Sequence, residues 1–324
     1  MRRLAVLGLL PLAACAGVQT PLDPWGAQAR HIAELTHVLF IGGTAIFLLT
    51  MGLLVVAVVA PGRVRQWLGS RRFVIWGGIV FPTVTLAALL VYSLGISRAL
   101  TLPGASSPLR VEIIGRQFWW EVRYPDLGEG AVTANELHLP VGRDVELALL
   151  SGDVIHSVWI PNLHGKMDMI PGRVNRQRLR VDRTGVLRGQ CTEFCGIQHS
   201  FMAFWVVAHE PADFEAWIAR QRAPVPPPAN TAQAEGRRIF GEAGCGACHA
   251  VRGTEWQGRL APDLSRIGSR LSLAAGALEN HRANLAGWIA GAQDIKPGNA
   301  MPAYGRSLEG TELLAVTDWL ETLR

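Results

Sequence analysis

The chain has 324 residues, 49% of them hydrophobic, and a formal net charge of +5. This length accommodates two or three domains, and the apolar content suits either a membrane protein or a large core. Residues 1–107 hold eight arginines and two acidic residues, whereas acidic and basic residues nearly balance in the rest of the chain. The basic excess therefore lies beside the apolar segments, where arginine sets membrane topology, and no basic stripe is left for nucleic acid.

The N-terminus, "MRRLAVLGLLPLAACAG", has the pattern of an export signal: two arginines, a short apolar run and then small residues. Its "LAAC" segment resembles a bacterial lipoprotein box, in which the cysteine becomes the lipidated first residue of the mature chain. This resemblance makes residues 1–14 a signal peptide and Cys15 a lipidation site that tethers the N-terminus to the outer leaflet. The alternative is ordinary cleavage nearby, without lipidation of Cys15.

Two uncharged runs, residues 38–60 and 73–97, are each long enough to cross the roughly 30 Å hydrocarbon layer as a helix. We therefore predict a membrane hairpin rather than two buried core helices. The connection "PGRVRQWLGSRR" carries four arginines and should face the cytoplasm. Both ends of the hairpin, and everything after residue 98, then lie on the outer side of the bacterial cell membrane.

From residue 109 to 210, short apolar stretches alternate with turns rich in Gly, Pro, Asp and Asn, which predicts an antiparallel β-sandwich. A Pro-rich spacer, "RAPVPPPAN", follows, and the remainder reads as helical. The predicted division is an N-terminal segment with hairpin, a sandwich, a linker and a helical domain, at 15–107, 108–221, 222–230 and 231–324.

The segment "CGACH" matches the attachment pattern of c-type haem. The thiols of Cys245 and Cys248 would bind the porphyrin covalently, and His249 would be the proximal iron ligand. Met301, in "NAMPAYG", is a candidate second axial ligand, since a thioether raises the iron potential. The alternative, a thioredoxin-like dithiol, needs no following histidine. The "APDL" segment at 261–264 resembles the loop that supports the proximal histidine in small class I cytochromes c.

The segment "GQCTEFCGIQHSFM" gathers two thiols, an imidazole and a thioether, the ligand types of soft copper chemistry. A mononuclear blue site needs one cysteine, and the second, four residues on, allows Cys191 and Cys195 to bridge two coppers. His199 supplies one imidazole, and His156, on an apolar strand in "DVIHSVWIP", is the candidate for the other. A structural disulfide is the alternative for the two cysteines.

These motifs, with "MDMIPGR" and a preceding two-helix hairpin, resemble subunit II of haem–copper cytochrome c oxidase over about residues 30–212. With the haem segment, the chain resembles the subclass whose subunit II carries its own cytochrome c. The resemblance implies two transmembrane helices, an all-β cupredoxin-like Greek-key sandwich and an all-α class I cytochrome c domain.

The resemblance also implies a dinuclear copper centre, CuA, bridged by Cys191 and Cys195. His156 and Met202 would complete one copper, and His199 and the backbone carbonyl of Glu193 the other. The Glu193 side chain would then be free to meet a magnesium ion shared with subunit I. Asp168 lies in the same subunit-facing region of the family.

The implied function is electron input: an external donor reduces haem c, and the electron passes to CuA and on to the haem of subunit I, where oxygen is reduced and protons are translocated. No substrate bond is broken in this chain, so it holds no catalytic residue of its own. Implied partners are subunits I and III, a cytochrome c or membrane donor, and the lipid bilayer. A quinol oxidase subunit would lack the cysteines, and a nitrogen-oxide reductase would need a second copper domain. A free-standing electron carrier stays open.

Two departures from the family pattern stand out. The family commonly has "HQWYW" where this chain has "RQFWW", so the tryptophan that often receives electrons from soluble cytochrome c is Phe118 here. Trp119 and Trp120 could belong to an electron path or could pack the sandwich. The second membrane segment also lacks the glutamate that many members have near a proton-channel entrance.

Overall fold

A computed structural model describes residues 16–101, 108–128 and 131–324. The predicted signal peptide and Cys15 lie outside these described residues.

The membrane segment forms two long helices, Ala27–Val59 and Arg71–Arg98, both with the length and apolar composition to cross a membrane. The first helix begins at Ala27 rather than at residue 38, because the polar residues before the apolar run are also helical. One of their contacts joins His31 and Glu34, three positions apart, with Nδ1 and Oε2 separated by 3.6 Å. The first long helix is α1 (Ala27–Val59), and a short helix, α2 (Gly62–Leu68), follows it. The second long helix is composed of α3 (Arg71–Ile75), a π-helical turn and α4 (Phe81–Thr101).

A π-helical turn, Trp76–Val80, joins α3 to α4. Pro82 has no N–H to donate to the carbonyl four residues earlier, so a regular α-helix cannot continue through this point. Instead, the N–H of Phe81 donates to the carbonyl of Trp76, five residues earlier.

Ten strands form a sandwich of two five-stranded sheets, in the orders β3-β2-β1-β5-β8 and β4-β10-β9-β6-β7. The strands are β1 (Leu109–Arg116), β2 (Trp119–Arg123), β3 (Val132–Ala134), β4 (Glu136–Pro140), β5 (Val145–Ser151), β6 (His156–Trp159), β7 (Met167–Met169), β8 (Asn175–Leu179), β9 (Gly185–Cys191) and β10 (Ala203–His209). The prediction of a purely antiparallel sandwich is wrong in two places, since β1 pairs with β5 and β4 with β10 in parallel. Each parallel pair joins strands that are distant in sequence, so no hairpin imposes an antiparallel direction.

Every second side chain along the strands points into the core of the sandwich. In β1, Leu109, Val111 and Ile113 are fully buried, and each such side chain stabilises the fold by roughly 1.5–3 kcal/mol. Helix α5 (Pro211–Arg222) closes one end of the sandwich, where Phe214 and Trp217 pack on the same core.

An N-terminal segment, residues 16–25, is hydrogen-bonded to the sandwich. The side-chain amide of the fully buried Asn162 donates to the carbonyls of Gly17 and Asp23, at 3.2 and 2.9 Å. The backbone N–H of Trp25 donates to the carbonyl of Asn162 at 2.7 Å. This segment is therefore part of the β-domain.

The C-terminal domain is built on three helices, α6 (Thr231–Glu242), α7 (Arg282–Ile295) and α8 (Gly310–Glu321). Helices α6 and α8 cross closely at Gly236, where an added Cβ would lie 2.0 Å from the carbonyl oxygen of Ala315. Phe240 and Trp319 fill the core between them, with ring centroids 5.2 Å apart. Two short ladders accompany the helices: β11 (His249–Ala250) with β12 (Gln257–Arg259), and β13 (Ser272–Leu273) with β14 (Leu278–Glu279).

Candidate metal centres

The candidate copper residues converge on one end of the sandwich. Strands β9 and β10 are antiparallel neighbours, and a single loop between them holds the residues from Cys191 to Met202. Strand β6 pairs with β9, with Val158 opposite Cys191, and this register brings His156 to the same loop. A histidine 35 positions upstream of the first cysteine thus reaches the thiols.

The donor atoms of the six predicted copper ligands lie close together. The Sγ atoms of Cys191 and Cys195 are 3.9 Å apart, and Cys191 Sγ lies 4.0 Å from Nδ1 of His156. Distances from the two sulfurs to the other donors are 3.3 Å from Cys191 Sγ to the Glu193 carbonyl oxygen, 3.7 Å from Cys195 Sγ to His199 Nδ1, and 3.8 Å from Cys195 Sγ to Met202 Sδ. The Sγ atom of Cys191 thus lies near His156 and the Glu193 carbonyl, and that of Cys195 lies near His199 and Met202.

This donor set fits copper better than it fits a disulfide. Both thiols are free and buried, and their separation far exceeds the roughly 2.05 Å of an S–S bond. His156 and Met202 are fully buried as well. Thiolate, imidazole and thioether donors converging in a water-poor pocket are a soft-metal set, which fits Cu. Gathering them has no benefit for a disulfide, which uses the cysteines alone.

The hydrogen bond between the thiols, with further ones from neighbouring groups, lowers the pKa of Cys191. The same bond, reinforced by burial, raises the pKa of Cys195. The two thiols thus have pKa values shifted in opposite directions, and a metal bound by both would require both to be deprotonated.

His156 is held from both sides of its ring. Its Nδ1 faces Cys191, while Nε2 lies 2.7 Å from Oδ1 of Asp153. Burial lowers the pKa of His156, but the contacts with Cys191 and Asp153 outweigh it, and the net shift is upward. A carboxylate behind a ligating histidine fixes the tautomer and orientation of the ring. Asp153 was not predicted from the sequence, although an acidic residue three positions before a candidate histidine was a usable signal.

Glu193 contributes its backbone to the cluster and directs its side chain elsewhere. Its Oε2 lies 3.5 Å from the ammonium of Lys166, which is also 3.5 Å from Oδ1 of Asp168. Glu193 and Asp168 therefore border one surface region beside the copper residues. Glu193 is 43% exposed at its side chain, so it is accessible from outside this chain.

The haem segment forms a single 3₁₀ turn, Cys245–Ala247, that begins after Gly244 in the left-handed conformation. Gly246 lies between the two cysteines in the sequence and packs against Trp256. A Cβ at this position would lie only 2.1 Å from Cδ1 of Trp256, so there is no room for a side chain. Cys245 is partly buried and Cys248 is exposed, both as free thiols. The turn thus presents two thiols at the surface of the helical core.

His249 is oriented by the backbone. Its Nδ1 lies 2.7 Å from the carbonyl oxygen of Pro262, the contact expected from the resemblance of residues 261–264. Burial lowers the pKa of His249 and so favours the neutral imidazole, and the hydrogen bond to Pro262 opposes this shift only in part. A neutral ring with Nδ1 as donor presents Nε2 as the free lone pair, which fits the proximal ligand of haem.

Met301 lies in the loop after α7 and packs against the core of the C-terminal domain. Its N–H donates to Oδ1 of Asn299 at 2.7 Å, and its carbonyl accepts from the Gln293 side chain at 2.6 Å. The backbone of Met301 is therefore held at both ends, as the loop of an axial ligand needs to be.

The helical domain is docked on the copper-ligand loop, defined as residues 197–203. The Gln198 side chain donates to the carbonyl of Pro297 at 2.8 Å, and the N–H of Ala203 donates to the carbonyl of Ala275 at 3.0 Å. Further along the interface, the N–H of Leu271 donates to the Glu136 carboxylate. The two domains therefore touch at the residues that lead to the candidate copper ligands.

Lys296 completes this interface, although it was not predicted from the sequence. Its ammonium donates to the carbonyls of Phe118 and Phe201 in the β-domain, both at 3.0 Å. Burial lowers the pKa of Lys296 to about 8, against a raising effect of Cys195. Phe118 is only 8% exposed. The side chain of Phe118 lies in the core of the β-sandwich, and its backbone carbonyl is held by Lys296 of the C-terminal domain.

The two tryptophans that could lie on an electron path occupy different surroundings. Trp120 is fully buried, and its ring centroid lies 6.1 Å from that of His156. Trp119 borders an open cavity between the two domains and lies under the guanidinium of Arg116, 5.8 Å from the ring centroid. Trp120 thus both packs the core and contacts a candidate copper ligand.

Comparison with known proteins assigns each of the two domains to a family. Residues 129–209 match the family described as cytochrome c oxidase subunit II, periplasmic domain, and residues 233–324 match the cytochrome c family. These two families imply CuA copper and haem c, respectively.

Two relatives illustrate the match. Over 215 residues the chain is 39% identical to cytochrome c oxidase subunit 2 of Alkalihalophilus pseudofirmus, covering 66% of this chain and 61% of the relative. Over 235 residues it is 30% identical to the probable cytochrome c oxidase subunit 2 of Rickettsia bellii, covering 64% of this chain and 85% of the relative. The matched region is thus about three fifths of the first relative's length.

Among solved structures, the periplasmic domain of cytochrome oxidase subunit II of Bradyrhizobium japonicum is 29% identical and covers 38% of this chain and 97% of that chain, with a TM-score of 0.36. The two domain matches and the Rickettsia bellii relative, 85% of which is covered, show that the chain belongs to the cytochrome c oxidase subunit II family, with a cytochrome c domain following the oxidase domain.

Proposed function

We propose that this protein is the electron-input subunit of a proton-translocating cytochrome c oxidase. When bound, haem c and CuA would supply one-electron transfer from an external donor towards the haem of subunit I, where oxygen is reduced. The observation that carries the proposal is the direct contact between two domains of one chain. Gln198 and Lys296 join the domain with the candidate copper ligands to the domain with the candidate haem ligands. The chemistry of oxygen reduction belongs to subunit I.

The proposed copper ligands are the side chains of His156, Cys191, Cys195, His199 and Met202 and the carbonyl of Glu193. The separations between sulfur and the other donors, 3.3–4.0 Å, support one compact centre around two bridging thiolates. Cys191 and Cys195 would hold two coppers between them. Asp153 would keep His156 in the tautomer that turns Nδ1 to the metal.

The proposed haem attachment uses Cys245 and Cys248, with His249 and Met301 as axial ligands. Pro262 would orient the proximal imidazole through its carbonyl, and Asn299 would hold the backbone of Met301. A methionine ligand raises the potential of haem iron, which suits a centre that receives electrons from a donor in an oxidising compartment.

The proposed partners are subunits I and III, the bilayer and an external donor. The exposed Glu193 and Asp168 would face subunit I, and Glu193 would ligate a shared Mg²⁺. Because the C-terminal domain contacts the sandwich at the backbone carbonyl of Phe118 and at the loop 197–203, an external donor would deliver its electrons to the haem domain. Trp120, beside His156, would extend the path from the copper site into the sandwich.

The proposed location is the bacterial cell membrane, with both termini and both metal domains on the outer side. The proposed domain division is signal peptide 1–14, N-terminal segment with hairpin 15–107, copper domain 108–221, linker 222–230 and haem domain 231–324, with residues 16–25 of the N-terminal segment hydrogen-bonded to the copper domain. Lipidation of Cys15 would add a second anchor to the hairpin.

The proposal is tested by purifying the full chain from native membranes together with its partners. We expect a multi-span haem protein to co-purify, and reduced haem c in this chain to be reoxidised when oxygen is added. The Cys191→Ser variant should retain haem c and lose its reoxidation. A chain that purifies alone, with haem c that oxygen does not reoxidise through any partner, would instead indicate a free-standing carrier.

A further inference from the structure

Lysine is rare in this protein, and one of its two lysines is buried. Of 31 basic residues, 29 are arginine, and the lysines are Lys166 and Lys296. Lys166 is exposed at the surface. Lys296 is 2% exposed and follows directly after α7, five positions before Met301. Because nearly all other basic residues of this chain are arginine, a buried lysine at this position needs a specific structural explanation.

The ammonium of Lys296 is fully used by backbone acceptors. Its three hydrogens match three carbonyls: Phe118 and Phe201 of the copper domain, each at 3.0 Å, and Ala274 of the haem domain, at 3.2 Å. Phe201 directly precedes Met202, a proposed copper ligand. The lysine therefore joins the loop that leads to the haem methionine with the loop that carries the copper ligands.

Lysine rather than arginine suits this position. Three carbonyls around one point match the compact ammonium, whereas the flat guanidinium distributes its donors over a wide fork. A buried charge is tolerated only when its hydrogen bonds are complete, and removing its acceptors is strongly unfavourable. Separating the two domains would take two of the three acceptors away from Lys296.

Close packing around Lys296 points to the same interface. A Cβ added at Gly298 would lie 2.9 Å from Cγ2 of Ile197, and one at Gly276 would lie 3.1 Å from Cβ of Ala203. Both glycines have positive φ, at +81°, so they serve the tight turns as well as the close approach. The copper-ligand loop 197–203 is thus met by two separate turns of the haem domain.

We propose that Lys296 is a positioning residue that fixes the haem domain on the copper-ligand loop and so holds the two cofactor sites at one separation. The identity of the two cofactors rests on the proposed function, whereas the docking does not. Since electron tunnelling falls steeply with distance, a fixed contact would make transfer between the sites fast and independent of domain diffusion. It would also deny external proteins access to this loop.

The first test uses the native full chain in detergent and its two lysines. A water-soluble acetylating reagent should modify Lys166 at least ten times faster than Lys296, as measured by mass spectrometry of peptides over time. Lys166 is the internal control for reagent activity. Comparable rates at the two lysines would overturn the proposal, and this test needs neither copper nor a partner subunit.

The second test compares Lys296→Met, Lys296→Arg and the control Arg282→Met. Arg282 opens the same helix that Lys296 follows, but it is exposed and pairs with Asp318 of its own domain. Both Lys296 variants should raise amide hydrogen exchange at Ala203 at least ten-fold, because its N–H donates to Ala275 across the interface. Arg282→Met should leave exchange at Ala203 unchanged.

The positioning role also predicts that loss of Lys296 slows electron transfer without removing either cofactor. In Lys296→Met, haem absorption and the copper signal should persist, while electron transfer from haem c to copper slows at least ten-fold. Unchanged exchange at Ala203 together with an unchanged transfer rate would overturn the proposal, as would loss of the haem spectrum. Should the native chain itself bind no copper, the proposed function fails, and the labelling test still decides the docking.

Discussion

Oδ1 of Asp153 lies 2.7 Å from Nε2 of His156, and the opposite nitrogen of the ring faces Cys191 Sγ at 4.0 Å. One imidazole thus connects a partly exposed carboxylate to a buried thiol. This arrangement ties the copper site to the loop before β6.

Replacing Asp153 by alanine should weaken copper binding about 10–100-fold, the range typical for loss of a partner behind a ligating histidine. The reason is that His156 would lose the acceptor that fixes its tautomer. The measurement is competitive copper titration of the full chain. Asp126→Ala, which removes an exposed carboxylate paired with Arg110, is the matched control and should bind copper normally. Equal affinity in the two variants would refute this role of Asp153.

Replacing Met301 by leucine should lower the midpoint potential of haem c, because the thioether ligand is lost. The reduced absorption spectrum should change at the same time, as the iron loses one axial ligand. Spectroelectrochemical titration measures both effects. Met167→Leu in strand β7 keeps the same change of side chain away from the haem domain and should leave the potential unaltered. An unaltered potential in Met301→Leu would show that another group ligates the iron.

Replacing Gly246 by alanine should impair the haem domain, because the new Cβ would lie 2.1 Å from Cδ1 of Trp256. Overpacking of this kind typically costs about 1–3 kcal/mol of unfolding free energy. We expect a lower melting temperature and a smaller fraction of chains with attached haem, measured by intact mass. Gly310→Ala is the control, since a Cβ there meets open space. A Gly246→Ala protein with full haem content and normal melting would contradict the prediction.

Stability should fall as the pH is lowered from about 6.5 to about 4, because of His209. Burial, with a further contribution from His138, lowers the pKa of His209 to about 4, whereas an unfolded histidine titrates near about 6.5. Between these pH values the unfolded chain binds a proton that the folded chain does not. The free energy of unfolding should therefore drop by roughly 1–3 kcal/mol across this window.

Thermal unfolding at a series of pH values measures the effect of His209, and His209→Gln should flatten the dependence. The neighbouring ionisable groups, Asp213, Arg220 and the Glu136 carboxylate behind His138, remain in that variant. The same slope in both proteins would assign the pH dependence to other groups.

Local motifs in the sequence were sufficient to predict the candidate ligands. Cys191, Cys195, His199 and Met202 belong to one loop, so their spacing alone suggests a shared site. His156 was proposed from its apolar strand upstream of the cysteine loop, and its approach to the thiols depends on the pairing of β6 with β9. Asp153 was missed, although its place three positions before His156 was a usable signal, because its contact with the ring depends on the geometry of the loop before β6.

The domain interface could not be predicted from the sequence for a physical reason. Lys296 is separated from Phe201 by 95 positions and from Phe118 by 178, and no periodicity or motif relates them. A single lysine in a Pro-Gly turn looks like an exposed residue. Its burial follows only from the way two complete domains pack, and the same holds for the parallel pairing of β1 with β5.

The most direct measurement is the electron paramagnetic resonance spectrum of the oxidised, copper-loaded full chain. We expect hyperfine splitting from two equivalent copper nuclei, because Cys191 and Cys195 would both bridge and the two metals would share one unpaired electron. The Cys195→Ser variant should lose this pattern. Splitting from a single copper nucleus in the native chain would contradict the dinuclear centre and leave a mononuclear cupredoxin beside a cytochrome c.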